Sequence, residues 1–384
     1  MSSFNPAKFT DPDWLHTMSP ARLIRMLSPW RLYLAESGFD LPPENSASVD
    51  LTALARVLMV TNSRTPSAMF DALYYIHETA SPEDIEALHQ KIGNRKIDIR
   101  ADPTASAADY VIDVWLAYPE LVEERHAEKV AFRQKTFHYY AGRGGEARAF
   151  PVIDAETQKQ IEASFDAWFD DHRRGRGSRL FIIRQTPIVW VLVRHGDLIR
   201  REASHGEDGT ATSALYRPQR HDVLFYNEAD DQIGVHAGTE GERNLYLGTL
   251  GRLAFSDAGY FPTAQKYTLA PLSKVGAEAL NCADVADMRD VKLTEYRRYL
   301  GGKFKRSITD RATDIFADLR ERGRDKLDSI PVSATFQVRF DASSKPRRVV
   351  IRPPAIASYQ RNEDSALVEQ WLGFRGFLLD RPAD

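Results

Sequence analysis

The chain of 384 residues contains a single cysteine, Cys282. One thiol cannot form an internal disulfide, and zinc or iron–sulfur sites that need several cysteines are excluded. The segment 280–283 places no cation or histidine beside this thiol to lower its pKa. We therefore interpret Cys282 as a small buried hydrophobic residue rather than as a nucleophile.

Long apolar runs are also missing. The longest candidate, residues 182–193, is interrupted by Arg184, Gln185 and Pro187, whereas a membrane-spanning helix needs ~20 apolar residues. Residues 1–6 lack the basic and apolar regions of a secretory signal. We therefore expect a cytoplasmic protein that makes no membrane contact.

The short motifs of several large enzyme classes are absent as well. The sequence has no Gly-x-x-x-x-Gly-Lys-Ser/Thr loop, no strand-linked Gly-x-Gly-x-x-Gly, no His-Glu-x-x-His and no Gly-x-Ser-x-Gly. It is therefore not a recognisable ATPase, Rossmann enzyme, zincin or serine hydrolase. We predict no bound metal and no cofactor.

What is present is ordinary globular composition, with 43% hydrophobic and 27% charged residues. The net charge of −3 is unevenly distributed: up to Asp170 there are 17 Lys and Arg against 25 Asp and Glu, and beyond it 34 against 29. The C-terminal half is thus the better place for an anionic partner. Arginine outnumbers lysine 38 to 13, which indicates a GC-rich, bacterial coding sequence.

The N-terminal part has the periodicity of successive helices. Asp50 precedes an apolar stripe at i, i+3, i+4, i+7 and i+8 that runs from Leu51 to Met59. Ser81 and Pro82 have the cap and first-turn chemistry of another helix start. Short connections predict that these helices pack as an antiparallel bundle. The remaining predicted helices cover 66–78, 102–116, 119–140 and 156–171.

After the Arg- and Gly-rich connection at 173–178 the pattern becomes strand-like. Ser307 has the position of an N-cap for a helix that extends to Leu319, whereas residues 244–255 fit a strand or a helix. We predict an α+β fold with a helical bundle at residues 1–171 and, at residues 179–384, a domain of mainly antiparallel strands with inserted helices. The predicted strands are 180–183, 188–193, 221–226, 232–237, 266–272, 291–299, 334–340 and 347–352, and a short helix covers 364–372.

One short string suggests catalysis. The hydrophobic run 191–193 leads into Arg194, His195 and Gly196, and resembles the strand-terminal Arg-His-Gly of the histidine phosphatase superfamily. The resemblance covers about seven residues and implies a phosphorylated His195 with Arg194 on the phosphate. The family uses a second histidine, which His236 could supply, although it lies closer in sequence than the family pattern suggests. The alternative is a strand that ends in a solvated turn.

The hairpin that contains His236 offers a related arrangement. If Tyr226 pairs with Gln232, Asp222 lies opposite His236, with Cβ atoms ~5 Å apart. A carboxylate that orients an imidazole is the core of a general-base pair. A half-exposed cross-strand ion pair is the simpler interpretation.

Basic residues cluster in the C-terminal half, and aromatic residues alternate with one cluster. Tyr296, Tyr299 and Phe304 suit a single-stranded nucleic acid, because bases stack on aromatic rings while cations contact phosphates. The competing interpretations are solvated linkers and cations at helix ends. The predicted nucleic-acid-binding residues are Arg173, Arg174, Arg176, Arg297, Arg298, Lys303, Lys305 and Arg306.

Together these patterns favour a non-catalytic binding or scaffolding component of a bacterial multi-protein system that contacts nucleic acid through its basic half. A protein partner or self-association is expected as well. The alternative enzyme is a phosphoesterase that uses Arg194 and His195. A third alternative is a regulator with a small-molecule pocket in the C-terminal half.

Overall fold

The computed structural model describes residues 9, 11–59, 64–99, 105–205, 209–262, 264–361 and 364–379. Two predictions lie outside these residues: the missing secretory signal at 1–6 and the helix start at 102–104. Among the described residues no helix has the length and apolar character needed to cross a membrane.

The chain is mixed α+β and its main sheet is antiparallel, as predicted. The helices are α1 Pro12–Leu15, α2 Pro20–Leu27, α3 Arg31–Glu36, α4 Leu51–Met59, α5 Ser67–Thr79, α6 Pro82–Arg95, α7 Ala107–Ala117, α8 Pro119–Arg133, α9 Ala155–Asp171, α10 Glu240–Ala254, α11 Ala270–Lys274, α12 Ile315–Glu321 and α13 Ser365–Phe374. The strands are β1 Thr136–Ala141, β2 Arg179–Gln185, β3 Ile188–Gly196, β4 Arg200–His205, β5 Ala211–Tyr216, β6 Gln219–Asn227, β7 Gln232–His236, β8 Met288–Gly301, β9 Arg306–Arg311, β10 Ser333–Phe340, β11 Arg347–Arg352 and β12 Ile356–Ser358.

The chain divides into two compact units by its contacts. Unit 1 comprises residues 1–129 and 203–212, and unit 2 comprises residues 130–202 and 213–384. These bounds differ from the predicted domains 1–171 and 179–384, which remain a prediction about the pieces that fold independently. The predicted bundle packing of the N-terminal helices also remains a prediction.

Unit 1 contains the amphipathic helices that the sequence indicates. Asp50 accepts a hydrogen bond from Ala53 N at 2.9 Å, and Leu51, Leu54, Ala55 and Leu58 of α4 are buried. Met59, the last residue of the predicted stripe, is 64% exposed. Ser81 caps α6 through the N–H of Asp84, as the capping chemistry predicts.

Three sequence-based element predictions are wrong. Residues 136–140, predicted as the end of a helix, belong to the central strand β1. Ser307 lies in β9 instead of capping a helix, and α12 is capped by Asp314. Most of 266–272, predicted as a strand, is irregular or helical; only Tyr267 forms an isolated bridge, to Leu378. The ambiguous stretch 244–255 falls almost entirely within helix α10.

Unit 2 is organised around a ten-stranded sheet in the order β2-β3-β6-β7-β1-β12-β11-β10-β8-β9. We call β2, β3, β6, β7 and β1 the first half of this sheet, and β12, β11, β10, β8 and β9 the second half. We call the front face the side that carries the paired residues Val191, Leu224 and Val235. Paired residues of neighbouring strands share a face. Val235 pairs with His138, His138 with Ile356 and Ile356 with Arg352, so the front face continues into the second half.

The two halves cover opposite faces of the sheet. In the first half, α9 and α10 pack on the front face, where Phe165 and Leu250 join Val191 and Leu224 in one buried cluster. In the second half Phe336, Val338 and Phe340 are buried on the back face, where Phe336 contacts Trp371 of α13 at 5.3 Å between ring centroids. Val350 is buried on the front face. The front face of the second half therefore has a different composition from that of the first.

Candidate functional site

His195, the centre of the catalytic prediction, lies at the end of β3 on the front face. Its side chain has no exposed surface, and Nε2 lies 3.2 Å from Oδ2 of Asp222 on β6. Tyr246 of α10 donates to the same Asp222 oxygen at 2.7 Å. Burial, followed by the charge of Asp222 and this bond, raises the pKa of Tyr246 well above its usual value.

The protonation of this pair follows from its contacts. Nδ1 of His195 lies 2.8 Å from the carbonyl oxygen of Gly196, so Nδ1 must donate, while Nε2 faces the Asp222 carboxylate. A neutral imidazole has only one N–H. One additional proton is therefore needed, either on His195 or on Asp222. The contact is thus either an ion pair between a protonated His195 and the Asp222 carboxylate, or a hydrogen bond between a neutral His195 and a protonated Asp222.

A second buried pair lies beside the first. Glu242 has no exposed side-chain surface and forms an ion pair with Arg174. The other Glu242 oxygen accepts from the N–H of Thr239 in a complete capping box at the start of α10. The ring of Phe169 stacks on His195 at 4.1 Å, and the Arg174 guanidinium lies 5.8 Å from that ring.

Distance alone would allow this cluster to hold a metal ion. One ligand atom each from His195, Asp222 and Glu242 lies within 4.8 Å of the others, and all three residues are buried. However, Glu242 already bonds to Arg174 and to Thr239 N. An ion would have to displace the guanidinium, so we interpret the set as a closed polar network that joins β3, β6 and α10.

The other residues of the phosphatase prediction do not join His195. Arg194 and His236 lie on the back face, where Arg194 packs over Phe181 at 5.5 Å and His236 Nδ1 lies 2.8 Å from Thr136 O. The predicted pairing of β6 with β7 is wrong by one residue. Tyr226 pairs with Ile233 and Val223 pairs with His236. Asp222 therefore meets an imidazole, but that of His195.

The predicted nucleic-acid-binding residues separate into two groups. Arg173, Arg174 and Arg176 follow α9 and precede β2, at one edge of the ten-stranded sheet. Arg174 belongs to the closed polar network through its ion pair with Glu242, and Arg176 pairs with Asp170 at 2.9 Å. The second group belongs to β8, β9 and their connection, at the opposite edge.

The second group forms an exposed hairpin tip. Lys303, Lys305 and Arg306 are exposed, and Phe304 between them is 88% exposed. Tyr299, just before the turn, is 53% exposed. Val152 is equally exposed, at 88%, so the feature that marks this tip is the combination of Phe304 with the cations on both sides of it.

Arg297 and Arg298, the remaining residues of this group, point to opposite faces. Arg297 pairs with Thr309 and Ser333 and is exposed on the front face. Arg298 lies on the back face, within 3.2 Å of Asp310 and 5.6 Å from the ring of Tyr296. Only Arg297 therefore continues the surface of the hairpin tip onto the sheet.

The front face of the second half carries further cations outside the predicted nucleic-acid-binding set. Gln337 of β10 is flanked directly by Arg348 of β11 and Lys292 of β8. Arg339 follows on β10, and Arg311 on β9 pairs with Glu295. We call Lys292, Arg297, Arg311, Arg339 and Arg348 the cationic face.

The alternation in β10 is the sequence signal that could have revealed this surface. Ala334, Phe336, Val338 and Phe340 are buried on the back face, while Gln337 and Arg339 are exposed on the front. This pattern is typical of an antiparallel sheet with one face in water.

The cationic face also surrounds a depression of about 760 Å³, which Lys292, Arg311, Arg339 and Arg348 help to line. Three of these cations have acidic neighbours, and for Arg339 the neighbour is its cross-strand partner Asp290. Arg311 contacts Glu295 at 2.6 Å, and Lys292 lies 3.5 Å from Asp314. Such exposed ion pairs are weak and exchange easily for another anion.

Comparison with known proteins adds no assignment: the chain matches no protein-family model, and no curated protein is significantly similar to it. The candidate sites are therefore judged on their geometry alone. The closed polar network satisfies its own groups, whereas the cationic face and hairpin tip present charge and aromatic surface to solvent.

Proposed function

We propose that this chain binds single-stranded nucleic acid on the cationic face and the β8–β9 hairpin tip. The observation that carries the proposal is the row Arg348, Gln337 and Lys292, which lies on the exposed side of three adjacent strands. Cations of this kind neutralise phosphates and release counterions.

The dimensions of the surface support a bound strand of several nucleotides. Arg348 and Lys292 lie two strand spacings apart, about 10 Å, and the stretch of β8 from residue 290 to residue 299 is about 30 Å long at ~3.3 Å per residue. Single-stranded binding sites on comparable sheet surfaces accommodate ~4–16 nucleotides.

The aromatic residues at the tip explain the choice of a single strand over a duplex. Phe304 and Tyr299 are exposed on a hairpin, and unpaired bases can stack on such rings. Each base that stacks contributes roughly 1–3 kcal/mol. In a duplex, stacking on neighbouring base pairs makes the base faces unavailable to these rings.

The test is a fluorescence-anisotropy titration of labelled single-stranded RNA and DNA at low and at physiological salt. The Arg339→Glu/Arg348→Glu variant should bind at least tenfold more weakly and show a shallower salt dependence, because phosphate contacts are lost. Phe304→Ala should lose about 1–3 kcal/mol of binding free energy with an unchanged salt slope.

The matched control is Arg179→Glu/Arg252→Glu, which makes the same change in net charge at two exposed arginines of unit 2, one on the edge strand β2 and one on helix α10. It should bind nearly as tightly as the wild type. Salt-independent binding by the wild type, or equal losses in both double variants, would contradict the proposal and would leave a protein partner as the use of this surface.

The cellular setting remains part of the same proposal. We place the chain in the cytoplasm as a component of a bacterial multi-protein system, supported by the arginine excess of the sequence and by the charge difference between its halves. Co-purification of nuclease-sensitive partners with the tagged chain from a bacterial host would test this setting.

A further inference from the structure

Two adjoining cavities lie on the back face of unit 2. The inner cavity, about 510 Å³, is walled by β3, β6 and α13. The outer cavity, about 720 Å³, is walled by the end of α8 and the start of β11. Both are lined by Gln185, Trp190 and Arg361, so they meet at these residues. Both volumes lie within the range of small-molecule sites.

The charge around the two cavities is strongly positive. Their lining includes five cations and a single carboxylate: Arg133, Lys135, Lys266, Arg347, Arg361 and Glu369. The Glu369 carboxylate already forms ion pairs with Lys266 and Arg361, at 3.4 and 3.1 Å. The charge of Lys266, followed by that of Arg361, lowers the pKa of Glu369 to about 2 despite its burial. The cavities therefore favour an anion.

Arg361 lies where the cavities meet, and its contacts leave one donor unused. Its side chain is 7% exposed and bonds to Glu369 and Tyr139, with the guanidinium 3.7 Å from the Tyr359 ring. Its Nε–H, however, has no hydrogen-bond partner among the described residues. That nitrogen is itself buried, so Arg361 contributes to an anion site mainly through the charge of its guanidinium.

The inner cavity has a different chemistry from the outer one. Amide side chains of Gln185 and Gln232 line it together with the apolar surfaces of Ile188 and Phe225. The Asn227 amide also lies there but already bonds to Asp230 and to Ala229 N. Amides can donate to and accept from the edge of a heterocyclic base, while apolar walls contact its ring. The outer cavity has Lys135, Arg133 and Arg347, cations of the kind that suit phosphate oxygens, although Arg347 also contacts Asp364 at 3.3 Å.

We infer that these cavities form a nucleotide site, with the base in the inner cavity and the phosphates in the outer one, separate from the cationic face. The inference does not depend on the proposed nucleic-acid binding, since the site lies on the other side of the sheet. Strand β11 contributes to both surfaces, with Arg347 on the back face and Arg348 on the front face.

The test is calorimetric titration of the full chain with ATP, GTP, CTP and UTP, alongside inorganic triphosphate and adenosine. At least one nucleotide should bind with micromolar affinity, at least tenfold more tightly than triphosphate or adenosine. Absence of binding at millimolar concentration, or equal affinity for triphosphate alone, would overturn the inference.

Two exposed positions allow the subsites to be tested without disturbing the core. Lys135→Glu should weaken nucleotide binding at least tenfold, while Lys135→Arg should retain it. Ala366→Trp, which places an indole in the inner cavity from α13, should abolish nucleotide binding but leave oligonucleotide binding unchanged. Unchanged nucleotide affinity in both Lys135→Glu and Ala366→Trp would mean that nucleotides bind at another surface, and would overturn the inference.

Discussion

The front face of one sheet is used in two different ways. In the first half, helices α9 and α10 cover it, and its polar residues pair with one another: His195 with Asp222 and Arg174 with Glu242. In the second half the same face carries the exposed residues Arg339 and Arg348. The difference shows that charge alone does not indicate a binding surface.

Arg174 and Arg348 differ in whether a carboxylate already pairs with the guanidinium. Arg174 is held beside a carboxylate without exposed surface, so its charge contributes to the fold. Arg348 is an exposed neighbour of Gln337, so its charge is accessible to a ligand. Substitutions in the first half should therefore change stability, and substitutions in the second half should change binding.

The largest expected effect is on stability. Glu242→Gln keeps the capping geometry but removes the negative charge, and leaves Arg174 as a buried cation without its partner. Breaking a buried ion pair from one side costs about 3–5 kcal/mol of unfolding free energy. Denaturant unfolding followed by circular dichroism measures this change.

The control for this substitution is Glu240→Gln, two residues earlier on α10 and exposed. It should change the unfolding free energy by less than about 0.5 kcal/mol, as should Arg348→Gln in the second half. A loss as large for Arg348→Gln as for Glu242→Gln would remove the distinction between the two halves.

A smaller effect on stability should depend on pH, and it should arise only outside the second half. All ten histidines lie at or before His236. Burial, with the nearby charges of Arg243 and Arg194 respectively, lowers the pKa of His138 and His221 from 6.5 to about 4. Between pH 6.5 and 4 the unfolded chain therefore binds protons that the folded chain does not, so stability should fall as the pH falls through this range.

The measurement is the denaturant midpoint as a function of pH. His138→Gln/His221→Gln should flatten the decline below pH 6.5, and His16→Gln, at an exposed position of unit 1, should not. Nucleic-acid binding by the lysines and arginines of the cationic face should be nearly constant between pH 6.5 and 8, because these groups keep their charge there. A steep loss of binding between pH 6.5 and 8 would instead mean that a histidine contributes to binding.

Local sequence patterns predicted most elements, because periodicity and capping are local. Helix α9 and the hairpin of β10 and β11 have the predicted bounds to within one residue. Strand β1 was assigned to a helix because its residues follow a strong helix, while its partners β7 and β12 are distant in sequence. Only tertiary pairing identifies it as the centre of the sheet.

The candidate sites show the same limit. The Arg- and Lys-rich tip at 303–306 was selected from sequence, because its residues are adjacent. The pair of His195 with Asp222 depends on the register between β3 and β6, which local patterns do not give. The expected partner His236 lies on the other face, because a one-residue change in the β6–β7 register exchanges the faces of a strand. Nor could sequence alone show that Arg348 and Lys292 flank Gln337, because that row joins residues of three strands.

The smallest expected effect is on oligonucleotide affinity and concerns cations of the first half. Arg173→Glu/Arg176→Glu reverses two exposed cations beside β2, which the sequence placed in the nucleic-acid-binding set. Strand β2 is six strand spacings from β11 in the sheet order, about 29 Å along the sheet. Charges separated by more than the Debye length of ~8 Å at physiological salt are largely screened. Oligonucleotide affinity should therefore change by less than about twofold at that salt, and a tenfold loss would mean that the nucleic acid extends across the first half as well.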